Sequence, residues 1–283
     1  MSSKPSLPPF DHVRLARLSD LGRIATVAAA GFFWSPTFQF QRPLYAEHPA
    51  DTLSSYWLEY RDEIKDPASV VLVVEDSWKP KERDKVYDAL RHHAMYVSGA
   101  DAPVKVVVGV CSIDLEPGSA RIGQLQPAGK HFAEVVEPPS GITTLNRDQS
   151  TVALDVYSTL TGPAKKKYLM DQMRLSTLAV HPAYWHQGHA SRLVGWCTRL
   201  ADLEAVSVGI SATPAGAIVA AKAGFEEVEK VKIDKSDMQQ RGLMSDQVSR
   251  LGEVSLWIGI RQPSQSSSDV SAATSVSPDS EQQ

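Results

Sequence analysis

The sequence predicts an α/β fold, and three observations predict it. Short β-branched runs alternate with amphipathic segments of helical period along most of the 283 residues. Hydrophobic residues make up 42% and charged residues 22%, enough apolar surface to build a core. No run approaches 18 consecutive apolar residues, so no membrane span is expected.

The elements follow in order. HVRLARLS (12–19) reads as a short strand, and DLGRIATVAAAGFF (20–33) as a helix with Ser19 or Asp20 at its N-cap. Its Ile24, Val27, Ala28 and Phe32 share one face. ADTLSSYWLEYRDEIKD (50–66) is a second amphipathic helix, striped by Leu53, Tyr56, Trp57, Tyr60 and Ile64. SVVLVVED (69–76) has the β-branched content of a buried strand. Residues 78–97 read as a polar helix, and VKVVVGVCSIDL (104–115) as a long strand. From Glu116 to about Lys165, Pro and Gly recur, and the stretch reads as an irregular insertion with at most a weak helix near 147–158. DQMRLSTLAV (171–180) is a strand and HASRLVGWCTRLADLE (189–204) a helix. AVSVGISA (205–212) is again a strand, followed by a helix at 214–224 that ends at Gly224. Strands at 225–234 and 254–261 close the pattern. The sum is one domain over about 11–261.

The ends differ in composition. Residues 1–10, with three prolines, are expected to form a flexible arm. Residues 262–283 carry no aromatic residue and are expected to be disordered. The N-terminal MSSKPSLPPFDH has no apolar centre, so no signal peptide is expected. Cys111 and Cys197 do not make a disulfide framework. Read as reduced thiols, they point to a cytoplasmic or nuclear location. Net charge is −4, from 29 basic and 33 acidic residues, so neither nucleic acid nor a membrane is expected as a partner.

The chemistry concentrates in LSTLAVHPAYWHQGHASRL (175–193). A strand that enters a helix through a small-residue turn aims the helix's first free N–H groups, and the positive end of its dipole, at the turn. Gly188, Ala190 and Ser191 are small enough for a phosphate to approach the backbone, provided His189 points away. Ala190, Leu193, Val194, Cys197, Leu200 and Ala201 give the helix one buried face. Neither G-x-x-x-x-G-K-[ST] nor G-x-G-x-x-G occurs, which disfavours a nucleotide fold.

LAVHPAYWHQGHASRLV resembles motif A of the GNAT superfamily, the acyl-CoA-dependent N-acyltransferases. That motif is a strand, a Val and a Pro, then Q/R-x-x-G-x-G/A leading into a helix. Val180, Pro182, Gly188 and Ala190 stand at the matching places. ATPAGAIVAAKAGFEEVE (212–229) is similar to motif B through Ala223-Gly224-Phe225. The resemblance covers 11–261 loosely and is motif-grade over about 175–230. It implies a mixed, mostly antiparallel central sheet of six to seven strands, splayed at the coenzyme A site, with helices on both faces. It implies acetyl-CoA as co-substrate and no metal. The backbone of His186, Gln187, Gly188, His189, Ala190 and Ser191 would cradle the pyrophosphate. Leu178 and Val180 would pair with the pantetheine arm, and an N–H near Ala179 or Val180 would polarise the thioester carbonyl.

The sequence departs from the family in three places. Trp185 replaces the Q/R; it would pack on the adenine or cover the core. Ala220 stands where many members carry a tyrosine acid, and alanine has no proton to donate. Ser176 stands where some relatives place a base carboxylate; Asp171 and Asp114 are nearby but read as solvated strand-end groups. The catalytic residues are therefore unassigned. His181, His186 and His189 cluster, but their spacing is not a usual zinc pattern.

The expected activity is acetyl transfer from acetyl-CoA to a primary amine, of a small molecule or a peptide, by direct attack in a ternary complex. The alternatives are a degenerate coenzyme A-binding or regulatory module, or a different α/β nucleotide binder. FFWSPTFQFQRPLY (32–45), with six aromatics in fourteen residues, either walls an acceptor pocket or fills the core beneath a loop. Oligomeric state is left open.

Overall fold

The computed structural model describes residues 6–93, 104–127, 145–234, 236, 238 and 253–264. Seven strands form one sheet: β1 (Val13–Leu15), β2 (Ser69–Ser77), β3 (Lys105–Asp114), β4 (Met173–Val180), β5 (Val208–Ala212), β6 (Glu226–Ile233) and β7 (Val254–Arg261). The order is β1-β2-β3-β4-β5-β7-β6. Every pairing is antiparallel except β4 with β5, which is parallel. The mostly antiparallel, splayed sheet implied by the GNAT resemblance is the sheet observed.

Both faces of the sheet are covered, which explains the unbroken apolar run SVVLVV. Val70, Leu72 and Val74 of β2 point to one face, where helix α6 (His189–Glu204) packs with Leu193, Val194, Trp196 and Cys197. Val71 and Val73 point to the other, against α1 (Leu21–Phe32) and α3 (Pro49–Lys65). Helix α5 (Thr151–Leu169) lies beside them on β6 and β7: Val156 packs near Ile233 and Val254, and Ala164 near Leu256 and Ile258. Ile24 and Val27 of α1 are fully buried, each worth roughly 1.5–3 kcal/mol.

Several elements differ from expectation. The stretch read as irregular from Glu116 to Lys165 contains α5, nineteen residues with Pro163 inside it; residues 128–144 lie outside the described residues. The segment read as a polar helix over 78–97 holds a 3-10 turn at Glu82–Lys85 and one short helix, α4 (Asp88–Arg91); residues 94–97 lie outside the description. The aromatic run contains an unforeseen helix, α2 (Pro36–Gln41), whose N-terminus is capped when Ser35 Oγ accepts from Thr37 N–H. The Asp20 carboxylate bonds Arg17 N–H and Arg14 rather than capping α1. Within the expected flexible arm, Phe10 stacks on Trp196 with centroids 5.3 Å apart. Residues 1–5 and, in the expected disordered tail, 265–283 lie outside the description.

Candidate active site

The site begins where the sheet opens. β4 pairs with β3 along its length, but with β5 only at Met173, Arg174 and Leu175. Beyond Leu175 the two parallel strands part. His181 N–H donates to Val108 C=O, so the period-two alternation turns Ala179 toward β3 as well. The backbone groups of Leu178 and Val180 face the open edge. Ala179, expected near the thioester, thus commits its backbone to the sheet and gives its methyl to the core with α1.

At the end of β4 the chain turns through a short 3-10 helix at Pro182–Tyr184 and enters α6. Gly188 is the N-cap of α6 with φ +81°, a left-handed conformation that favours glycine. It supplies no capping side chain. The first bond of the helix runs from Arg192 N–H to Gly188 C=O at 3.0 Å, so the N–H groups of His189, Ala190 and Ser191 precede the helical ladder. By contrast, α5 and α7 (Pro214–Lys222) are capped by the hydroxyls of Ser150 and Thr213. His186, Gln187, Gly188 and Ser191 are exposed and Ala190 half-buried, leaving the turn open to an anion.

His189 does point away. Its ring is buried, with Nε2 3.0 Å from Asp76 Oδ2 and Nδ1 3.3 Å from Arg192 Nη1. With Arg192 donating to Nδ1, Nε2 carries the proton and donates to Asp76. Burial lowers its pKa, against the pull of Asp76. His181 is buried too, and its Nδ1 accepts from Ala183 N–H; burial and the Arg23 charge lower its pKa to about 3, so it is neutral. Both rings shape the loop.

A second network ties this loop to the rest of the fold. Arg23 on α1 makes a bidentate pair with buried Glu82, at 2.7 and 2.8 Å, and donates to Val107 C=O at 2.7 Å. Tyr184 Oη donates to Glu82 at 2.8 Å and accepts from Lys79 N–H at 3.0 Å. Lys79 Nζ donates to Ala183 C=O and lies 4.5 Å from the Tyr184 ring centre. Three segments distant in sequence thereby fix the turn that precedes α6. Trp185 neither covers the core nor stands free: it is exposed, edge-on to exposed Trp34, and its Nε1 donates to Val180 C=O at 2.7 Å.

On the opposite face, the parted strands open into a cleft of about 400 Å3. Helices α3 and α5 stand on its two sides, with Phe32 and α2 above. Phe32 and Phe38 line the cleft, whereas Phe33 stacks on Tyr87 at 4.3 Å, so the aromatic run divides between cleft wall and core. Across from Tyr56 and Glu59 of α3 stand Tyr157 and Lys165 of α5. Arg42 also lines the cleft, but it is held by Asp148 and by Ser55 Oγ at 2.8 Å, and lies 4.9 Å from the Tyr56 ring centre. Ser176 lines the floor and donates to Asp114 at 2.6 Å, while Arg174 also bonds that carboxylate. Asp171, at φ +62°, is exposed at the start of the strand. Neither nearby carboxylate is therefore a group held ready in the cleft.

Glu59 is such a group, and no local sequence pattern marks it. Glu59 is solvent-exposed, yet partial desolvation by the protein around it raises its carboxyl above the ordinary carboxylate range, while Arg42 acts in the opposite sense. One turn further along α3, desolvation and the Glu59 charge raise Glu63 to about 8. Desolvation keeps the Tyr56 and Tyr157 phenols protonated, each raised to about 12. Ala220 is buried in α7 behind the sheet and presents only a methyl group.

No family model matches the chain. In sequence it is similar to an acetyltransferase of Stachybotrys chartarum, 29% identical over 238 residues, covering 83% of this chain and 89% of the relative. Among solved structures it is similar to a Corynebacterium glutamicum histone acetyltransferase HPA2 and related acetyltransferase. That match has 14% identity and a TM-score of 0.49, over 90% of this chain and 97% of the other. A Drosophila melanogaster polyamine N-acetyltransferase aligns at 12% identity and TM-score 0.43, over 88% and 98%. The chain is thus related in sequence to an acetyltransferase, and its split, mostly antiparallel seven-stranded sheet is the sheet that the resemblance carried by residues 175–230 implies.

Proposed function

We propose that the protein transfers an acetyl group from acetyl-CoA to an amine, with Glu59 as the general base. The observation that carries this reading is the split between β4 and β5, which joins the uncapped start of α6 on one face to the cleft on the other. The N–H groups of His189, Ala190 and Ser191 suit a pyrophosphate, and the edge backbone of Leu178 with the Val180 N–H suits an amide-bearing arm, the Val180 C=O being already taken by Trp185. The thioester would then reach the cleft beside Ser176 and Thr177.

There the amine arrives as an ammonium and gives one proton to Glu59. Its lone pair attacks the thioester carbonyl; the C–N bond forms and the C–S bond breaks. The second amine proton leaves with the thiolate, giving the free thiol, and Glu59 returns its proton to solvent. Because a thiolate is a good leaving group, this sequence does not need an acid at Ala220.

Calorimetric titration with acetyl-CoA and a thiol-release assay across an amine panel test the reading. Micromolar binding and turnover are expected, and Glu59→Gln is expected to lower kcat about 10²–10⁴-fold. Since the deprotonated carboxylate is the active form, wild-type kcat falls as pH drops through the raised Glu59 pKa, and the variant loses that acid limb. Absence of acetyl-CoA binding at millimolar concentration would sink the proposal. Binding without thiol release would make the protein a coenzyme A-binding module.

A further inference from the structure

The cleft holds two charged groups with no ion-pair partner among the described residues. Glu59 feels the Arg42 charge but makes no hydrogen bond to it, because Arg42 is spent on Asp148 and Ser55. On the facing wall, the Lys165 ammonium lies 5.0 Å from the centre of the Tyr157 ring and has no carboxylate partner among the described residues. The neighbouring Arg174 is already bonded to Asp114. Glu63, the other carboxyl on this side of α3, is held mostly protonated at neutral pH.

An ammonium left in this state is costly. Desolvation and the Arg174 charge both lower the Lys165 pKa. An incoming anion would relieve both effects, and an incoming second cation would aggravate them. The cleft is therefore dipolar, with a carboxylate on α3 and an ammonium on α5, and the aromatic rings of Phe32, Tyr56 and Tyr157 also line it. At about 400 Å3 it sits at the small end of ligand sites.

We infer that the acceptor is a small amine that also carries a carboxylate, an amino acid or a close analogue, with its amine at Glu59 and its carboxylate at Lys165. The amine end rests on the acetyl-transfer reading; the carboxylate end rests on Lys165 and the cleft alone. Diamines and polyamines are disfavoured, because their second ammonium would face Lys165.

The test compares matched pairs that differ only by the carboxylate, phenylalanine with phenethylamine and lysine with cadaverine. Affinity is measured by calorimetry on the full chain, wild type, Lys165→Gln and Lys165→Arg. In wild type the carboxylated member of each pair is expected to bind at least 10-fold more tightly. Lys165→Gln should abolish that ratio and Lys165→Arg should retain most of it. Equal or tighter binding of the decarboxylated member overturns the inference, as does an unchanged ratio in Lys165→Gln. Lys165-dependent binding of amino acids without thiol release would support the inference while overturning acetyl transfer, so the two failures are separable.

Discussion

The loop before α6 and the cleft between α3 and α5 treat polar groups in opposite ways. Around the loop, polar side chains are answered within the protein: Arg23 by Glu82, Glu82 by Tyr184, and His189 by Asp76 and Arg192. In the cleft, exposed Glu59 and half-buried Lys165 stand on opposite helices with no ion-pair partner among the described residues. Internal saturation fixes a shape, and here the shape is a backbone turn that needs no side chain to hold an anion. Charges kept unanswered cost stability, and a fold retains that cost where a ligand is to answer them. On the proposed reading, one region would bind by geometry and the other by charge.

The largest test of this contrast is Arg23→Ala. It removes the bidentate partner of Glu82, whose side chain is 3% exposed, and strands a buried carboxylate. Breaking a buried pair from one side costs about 3–5 kcal/mol. Chemical denaturation should show a loss of that size, and the loosened loop should bind coenzyme A more weakly. Lys165→Gln, which removes an unanswered charge, should leave stability unchanged or raise it. Equal losses in the two variants would erase the distinction between the regions.

Smaller effects are expected from pH, because only charge changes while packing stays. His181 has its pKa lowered from 6.5 to about 3 in the fold. Between those values the unfolded chain binds the extra proton, so stability is full above 6.5 and is lost as pH falls toward 3. Glu63 has the opposite sign. Its pKa is raised from 4.5 to about 8, so its contribution is full below 4.5 and is lost as pH rises through 8. Thermal melts should therefore decline on the acid side through the loop and on the alkaline side through Glu63 of α3. Glu63→Gln should flatten the alkaline decline alone; a decline that survives it would place the titrating group elsewhere.

The sequence showed the sheet more clearly than the cleft. Runs such as SVVLVV and VVVGV are buried on both faces, and a β-branched run of that length has few other uses. Gly188 was legible because a strand, a small-residue turn and a helix are contiguous. Of helix α5 only the first half was, as the weak helix near 147–158, because Gly162-Pro163 reads as a breaker; packing of Val156, Ala164 and Leu169 with residues of β6 and β7 holds the helix through it. The segment after β2 misled in the opposite direction. Its Glu82 looks like one more charge on a polar helix, yet it is buried to meet Arg23 and Tyr184. Glu59 and Lys165 share the same difficulty: each reads as an ordinary charged helix residue until two remote helices are set across one split. No local pattern encodes that meeting.

The smallest effects separate two glycines, one in each region. Gly31, at the end of α1, lies against β4: an added Cβ would stand 2.9 Å from Val180 C=O. The obstruction is backbone, so Gly31→Ala must push α1 off the strand that floors the cleft, at a cost of about 1–3 kcal/mol. Gly188 has open space around an added Cβ, and only its φ of +81° resists substitution. Gly188→Ala should cost about 1 kcal/mol of folding. Its larger consequence should be in coenzyme A affinity, because relaxing φ turns the His189 N–H away from the anion position. Gly188→Asn supplies the control, since asparagine tolerates the left-handed region. If backbone direction matters at this turn, Asn should restore affinity that Ala loses. Equal affinity for all three would mean that the uncapped start of α6 is not where the phosphates bind.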